Sequence, residues 1–82
     1  MLPGKIIVHN PSPAKIAEIA RSVRERSDLS QMELAEKVGI KRSAISAREV
    51  SKNGLSRLDN IEEHFNALGY EVKLFLIRKE IA

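Results

Sequence analysis

The 82-residue sequence contains no cysteine, which excludes a disulfide framework and any metal site built on thiolates. Long apolar runs are also missing. The two longest, residues 6–8 and 74–77, are far too short to cross a bilayer or to form the core of a signal peptide. We therefore predict a cytoplasmic protein with no membrane partner. The length allows one domain, residues 1–82, with a modest core that pairing with a second copy would enlarge.

Catalytic and cofactor-binding motifs are absent as well. No nucleophile elbow, glycine-rich phosphate loop or zinc-protease motif occurs. The two histidines, His9 and His64, stand alone in a predicted turn and on a predicted helix face, where such residues are more often solvated or satisfied than metal ligands. Asp59, Glu62 and Glu63 cluster at a predicted helix start, where negative charge complements the helix dipole. The sequence therefore predicts no enzyme, no metal site and no cofactor.

The positive charge is concentrated in one quarter of the chain. Residues 37–57 hold six basic residues and one acidic residue, a net charge of +5, whereas the other residues sum to −2. The basic residues are Lys37, Lys41, Arg42, Arg48, Lys52 and Arg57. Such a patch suits a polyanion, because lysine and arginine release condensed counterions when they neutralise phosphates. A solvated basic face without a ligand is the alternative interpretation of the same pattern.

Caps and apolar periodicity predict two helices in the first half of the chain. Ser12, followed by proline, caps a helix that runs to about Ser27 with one apolar stripe. Ser30 and Glu33 form a capping box that begins a second helix. Gly39 ends this helix, because glycine adopts the left-handed conformation most easily.

The next thirty residues predict two more helices. A third helix covers about residues 41–50, with Ile45 as its main inward side chain. An Asn-Gly turn at residues 53–54 separates it from a fourth helix, which we expect Ser56 to cap and Gly69 to end. Two short helices joined by a glycine-bearing turn make a helix-turn-helix candidate.

Both ends of the chain carry strand patterns. Residues 1–10 form a predicted extended arm or strand, and residues 70–79 alternate with period two and carry apolar side chains on both faces. A lone strand of this kind is not stable in water, so we predict that it pairs with the N-terminal segment, with a second copy, or with both. Aromatic residues are assigned to the core and this interface, not to base stacking. The residues predicted at the dimer interface are Phe65, Tyr70, Val72, Leu74, Phe75, Leu76 and Ile77.

Residues 29–49, LSQMELAEKVGIKRSAISARE, carry the most specific pattern in the chain. Their spacing of cap, glutamine, glycine and isoleucine resembles the Cro/cI-type (Xre) helix-turn-helix family, in its subgroup of HipB-like antitoxins and small phage-type autorepressors. The resemblance covers about residues 14–69. It implies a mainly α fold, a four-helix lambda-repressor-like helix-turn-helix domain. Here we expect short N- and C-terminal β-strands in addition, forming an intersubunit sheet, in a bacterial or phage-encoded protein.

The resemblance also assigns roles to individual residues. Those expected to reach base edges in the major groove are Arg42, Ser43, Ser46 and Ala47. Arg42 is the main candidate, because a guanidinium can bond guanine in bidentate fashion, although a phosphate contact is the alternative. Expected phosphate contacts are Gln31, Lys41, Arg48, Lys52, Asn53 and Arg57. Gln31 is also expected to brace residue 42, and Arg24 and Glu49 match a pair that forms an interhelical salt bridge in the family.

Three positions depart from the family pattern. Lys41 stands where a serine or threonine cap is usual. Arg48 replaces an apolar residue, so its stem lies over the core or its head reaches DNA. Val50 and Ser51 replace the usual basic-glycine turn.

These observations predict a homodimeric, sequence-specific DNA-binding repressor that occupies an inverted-repeat operator on double-stranded DNA. We expect it to regulate its own operon. One alternative is an antitoxin that binds both a toxin and an operator. The other is a protein- or RNA-bridging module that uses the same fold without reading bases.

Overall fold

In a computed structural model that describes residues 2–50 and 52–80, the chain forms four α-helices. They are α1 (Pro13–Arg26), α2 (Gln31–Val38), α3 (Arg42–Val50) and α4 (Leu58–Ala67). This confirms the predicted four-helix arrangement. The limits of the predicted domain at Met1 and Ala82, and the turn residue Ser51, lie outside the described residues.

The first two helices begin at the predicted caps. The Ser12 hydroxyl accepts a hydrogen bond from the Lys15 amide at 3.2 Å, which satisfies one of the free N–H groups of α1. At α2 the Glu33 amide donates to the Ser30 hydroxyl at 3.0 Å, and the Ser30 amide donates to the Glu33 carboxylate at 2.9 Å. These bonds, led by the one from the Ser30 backbone, lower the pKa of Glu33. The capping box is therefore complete.

The start of α4 differs from the prediction. Arg57, not Ser56, occupies the N-cap position, and its side chain makes no capping bond. The Ser56 hydroxyl instead donates to the Asn53 carbonyl oxygen at 3.0 Å, and so it stabilises the preceding turn. Asp59 lies in the first turn of α4, where its charge complements the dipole, and it pairs with Arg57 at 2.9 Å.

The core lies where α3 packs against α1 and α2, and where α4 packs against α2. Leu34, Ile45 and Leu55 are fully buried there. Phe65, which we predicted at the dimer interface, is also part of this core and is only 8% exposed. Its place on the apolar stripe of α4 points it into its own chain, so it is not free to contact a second copy.

The predicted terminal strands do not form within a single chain. Neither residues 2–10 nor residues 70–80 show β-pairing. The N-terminal segment instead lies on the core through Leu2 and Ile6, which are partly buried. Tyr70 fastens it, since its hydroxyl donates to the Pro3 carbonyl oxygen at 2.6 Å. The predicted pairing of residues 70–79 with the N-terminal segment is therefore not seen, and Leu74, Phe75, Leu76 and Ile77 are exposed. Pairing with a second copy stays a prediction.

None of the four helices in the described part of the chain is long and apolar enough to cross a membrane.

Candidate nucleic-acid interface

A tight turn holds α2 and α3 in a fixed relation. Gly39 adopts a left-handed conformation with φ of 85°, and its amide donates to the Ala35 carbonyl oxygen at 2.8 Å. The Ile40 amide reaches the same oxygen at 3.1 Å, which closes the end of α2. Helix α3 then begins at Arg42, only three residues after Gly39. This is the geometry of a helix-turn-helix.

A buried carboxylate on α3 joins this helix to α1 and α2. Glu49 is 7% exposed, and it accepts hydrogen bonds from Arg24 Nε at 2.6 Å and from Arg24 Nη2 at 3.0 Å. A third bond comes from Gln31 Nε2 at 3.1 Å. Burial alone would raise the pKa of Glu49, but the bonds from Arg24 and Gln31 outweigh it and hold that pKa below its ordinary value. Arg24 and Glu49 thus form the expected interhelical salt bridge, which links α1 to α3.

The same network extends to the surface through Gln31. Its Nε2 faces Glu49, so its Oε1 points outward and accepts a hydrogen bond from Arg42 Nη1 at 3.1 Å. Only this orientation of the amide satisfies both neighbours, because a carboxylate cannot donate and a guanidinium cannot accept. The first residue of α3 is therefore held at the surface by a chain of bonds that begins at a buried ion pair.

One face of α3 is open to solvent. Arg42, Ser43 and Ala47 are exposed and Ser46 is half-exposed, whereas Ile45 is fully buried on the opposite face. Positions 42, 43, 46 and 47 share this outer face because residues four apart lie one helical turn apart. The residues expected to read bases are therefore brought together on a single accessible surface.

The other residues predicted to contact phosphates flank α3 along the chain. Lys41 precedes α3, and Lys52, Asn53 and Arg57 follow it in the turn to α4. All four side chains are exposed. Arg57 is paired with Asp59 through Nε and Nη2 at 3.1 and 2.9 Å, so part of its charge is compensated.

Arg48 does not lie where a phosphate contact requires it. We predicted either a stem over the core or a head that reaches DNA, and the structure shows the first. The side chain is only 11% exposed, with Nη1 3.3 Å from His64 Nδ1 and Nη2 3.2 Å from Glu63 Oε1. These contacts fasten α3 to α4. Arg48 is therefore part of the support of the helix and is withdrawn from the phosphate-contacting set.

His64 is a buried partner of Arg48 that the sequence interpretation missed. Its ring is fully buried, its Nδ1 accepts from Arg48, and its Nε2 makes no hydrogen bond within the described residues. Burial, together with the positive charge of Arg48, lowers its pKa to about 4. The signal was present in the sequence, because His64 falls between Ile61 and Phe65 on the apolar stripe of α4.

Comparison with known proteins identifies the family of this chain. A family model described as helix-turn-helix matches residues 21–69, which is more than half of the chain. The chain belongs to the helix-turn-helix family. No curated protein matches it.

Solved structures agree with this assignment. The helix-turn-helix chain is similar to a chain of the HipA-HipB-O2-O3 complex, with 26% identity and a TM-score of 0.74 over 88% of this chain and 100% of that chain. It is equally similar to a chain of a complex between a HipB variant and an O2 20mer, with 26% identity, a TM-score of 0.74, and 89% and 100% coverage. A chain of the HipB-O4 20mer complex gives 26% identity, a TM-score of 0.73, and 88% and 100% coverage. The predicted resemblance to HipB-like Cro/cI-type proteins is confirmed.

Proposed function

We propose that this helix-turn-helix protein is a sequence-specific DNA-binding repressor that acts as a homodimer in the cytoplasm. The main support is the outer face of α3, where Arg42, Ser43, Ser46 and Ala47 lie together beside exposed cations. A major groove admits one α-helix, and the first turn of α3 is the part held in place by the buried network. Similarity to chains in complexes with 20mers supports the same conclusion.

The positive charge that the sequence count gives to residues 37–57 lies at the surface, which favours a polyanionic partner. Glu49 is the only acidic residue in residues 37–57, and it is buried against Arg24, which lies outside that range. Five of the six basic residues in the range remain exposed, and Arg48 alone is largely buried. The face that carries Arg42 therefore presents positive charge with no exposed acidic group from its own segment. Such a surface attracts DNA and positions it through phosphate contacts.

Each subunit would place α3 in a major groove, with Arg42 as the main base reader. Ser43, Ser46 and Ala47 would contact neighbouring base edges, and the phosphates would meet Gln31, Lys41, Lys52, Asn53 and Arg57. Two-fold symmetry would set the half-sites about 34–36 Å apart, so the operator would be an inverted repeat. Repression would be steric, through occupation of a promoter, including that of the protein's own operon.

Binding-site selection from randomised DNA duplexes tests this proposal. We expect an inverted-repeat consensus. In that consensus, Arg42→Ala should relax the preference at one base pair per half-site, by about 1–3 kcal/mol of discrimination, because a bidentate contact is lost. Lys52→Ala is the matched control. It should weaken binding to all DNA sequences alike and reduce the slope of log affinity against log salt concentration by about one.

Two results would contradict the proposal. Equal binding of selected and random duplexes at physiological salt would remove sequence specificity. Salt-sensitive binding with no dependence on Arg42 would instead favour the module that bridges RNA or protein without reading bases.

A second candidate function, an antitoxin, is favoured by the similarity to a chain of a complex that also contains HipA. In this case the protein would hold a toxin on a folded face as well as binding an operator. Co-expression with the product of the adjacent gene, followed by purification on a tag carried by this chain, separates the two functions. A stoichiometric complex supports the antitoxin, and its absence leaves the autorepressor.

A further inference from the structure

The last residue of α3, Val50, is an apolar side chain that the fold leaves uncovered. It is 71% exposed, although Ile45 and Glu49 of the same helix are buried. Arg48 is also withdrawn from solvent, into its contact with α4. Single exposed apolar residues are common on protein surfaces, so the position of this one on the helix decides whether it has a role.

Val50 lies on the same face of α3 as the residues that we propose read bases. It follows Ser46 by four positions and Ala47 by three, and both spacings place side chains on one face of a helix. It also follows Ser43 by seven positions, which is about two turns. The outer face of α3 therefore continues beyond Ser46 and Ala47 and ends in an apolar side chain.

An apolar side chain on this face has a specific partner in a major groove. Valine has no polar atom in its side chain, so it forms no hydrogen bond with phosphates or with the polar base edges. The apolar group that the major groove presents is the 5-methyl group of thymine. Where the family pattern has a basic residue, which would bind phosphate irrespective of sequence, this chain has a residue that can distinguish thymine from the other bases.

The geometry of the helix assigns this contact to its own base pair. Val50 lies eight residues after Arg42, which is about 12 Å along the helix axis. Successive base pairs are only about 3.4 Å apart, so the two side chains meet different base pairs. Valine is also β-branched and keeps one preferred rotamer in a helix, so little side-chain entropy is lost when it makes a contact.

We propose that Val50 is a further specificity-determining residue, which packs against the 5-methyl group of a thymine in the major groove. This thymine belongs to a base pair other than the one read by Arg42. The inference rests on the proposed function, because it requires the outer face of α3 to enter the groove.

Replacement of thymine by deoxyuridine tests the contact, since it removes the methyl group and keeps every hydrogen-bonding group of the base. The starting duplex is the operator selected by the wild-type protein, changed at one thymine position at a time in both half-sites. At one position we expect the wild-type affinity to fall about fourfold per half-site, the effect of uncovering about one methyl group. Val50→Ala should bind the thymine duplex more weakly and show no further loss with deoxyuridine at that position.

Leu58→Ala is the matched control. Leu58 is 72% exposed, but it begins α4 and does not lie on α3, so this variant should keep the full sensitivity to deoxyuridine. Val50→Ala should not lower the urea midpoint of unfolding, because the side chain is exposed and alanine favours a helix. A loss of deoxyuridine sensitivity in Val50→Ala therefore does not arise from a loss of folded protein.

Three results would overturn the contact and leave the repressor standing. They are a selected half-site without thymine, a wild-type affinity that deoxyuridine changes at no position, and a deoxyuridine effect that persists unchanged in Val50→Ala. In the last case another side chain would contact the methyl group. If binding-site selection returns no consensus at all, the repressor fails and the contact fails with it.

Discussion

At the scale of single residues, the ion pair between Arg24 and Glu49 contributes more than its one salt bridge. Glu49 lies on the inner face of α3 with a side chain that is 1% exposed, so its charge depends almost entirely on protein donors. The same carboxylate holds Gln31, and Gln31 holds Arg42. A change at Arg24 therefore acts on both the folding of the domain and the position of the side chain that we propose reads DNA.

We expect Arg24→Met to lower the free energy of unfolding by about 3–5 kcal/mol. The substitution keeps much of the side-chain volume but leaves the buried Glu49 carboxylate without its main partner, which is the costly way to break a buried pair. Urea unfolding followed by circular dichroism measures the change.

Arg21→Met is the matched control on the same helix. Arg21 pairs with Glu25 at 3.1 Å, but both side chains are 57% exposed, so this substitution should change stability by less than about 1 kcal/mol. Equal effects of the two substitutions would show that burial of the Glu49 pair does not stabilise the domain.

At the scale of elements, the turn between α3 and α4 depends on one close backbone approach. A Cβ atom added at Gly54 would lie 2.5 Å from the Ala47 carbonyl oxygen and 2.6 Å from the Arg48 Cα. Both are backbone atoms of α3, so they cannot move aside as a flexible side chain could. Glycine at this position lets the turn lie directly against the C-terminal half of α3.

Gly54→Ala should therefore destabilise the domain by about 1–3 kcal/mol, the range typical of overpacking. Gly4→Ala is the control, since a Cβ there meets nothing within 4 Å. Thermal unfolding of the two variants should give a clearly lower Tm for Gly54→Ala only. Unchanged stability of Gly54→Ala would mean that the turn does not need this contact.

The elements that sequence reasoning predicted correctly are those fixed by local hydrogen bonds. The Ser30–Glu33 capping box joins residues three apart, so its pattern is visible in the sequence and present in the structure. Arg48 and His64 lie sixteen positions apart on different helices, and no local pattern sets their contact. The terminal strands do not form within one chain, and their pairing across two copies stays a prediction. Alternation reveals which side chains need cover, but it does not reveal which chain supplies it.

At the scale of the whole molecule, the buried His64 couples folding to pH. The groups that face it are Arg48 and Glu49 from α3, Glu63 from α4 and Arg24 from α1. Burial dominates among these influences and, with Arg48, lowers the pKa of His64 to about 4, whereas an unfolded histidine titrates near 6.5. Between these two values the unfolded chain binds a proton that the folded chain does not.

Because the unfolded state binds the extra proton, the free energy of unfolding must fall as the pH drops through this window. We expect a loss of about 2 kcal/mol between pH 7 and pH 5, from the size of the shift in pKa. Glu33, Glu49 and Asp59 have lowered pKa values, so their stabilisation is lost mainly below pH 5 and does not obscure the histidine. Urea unfolding at a series of pH values measures the slope.

Two variants test whether the slope with pH comes from the imidazole ring of His64. His64→Gln keeps an acceptor for Arg48 but has no proton to gain near neutral pH, so its stability should be nearly flat between pH 5 and pH 7 even if it is lower overall. His9→Gln removes the other histidine, which is exposed, and should keep the wild-type slope. If His64→Gln retained the wild-type slope, the pH dependence would have to arise elsewhere in the molecule, and the contact between α3 and α4 would not be its source.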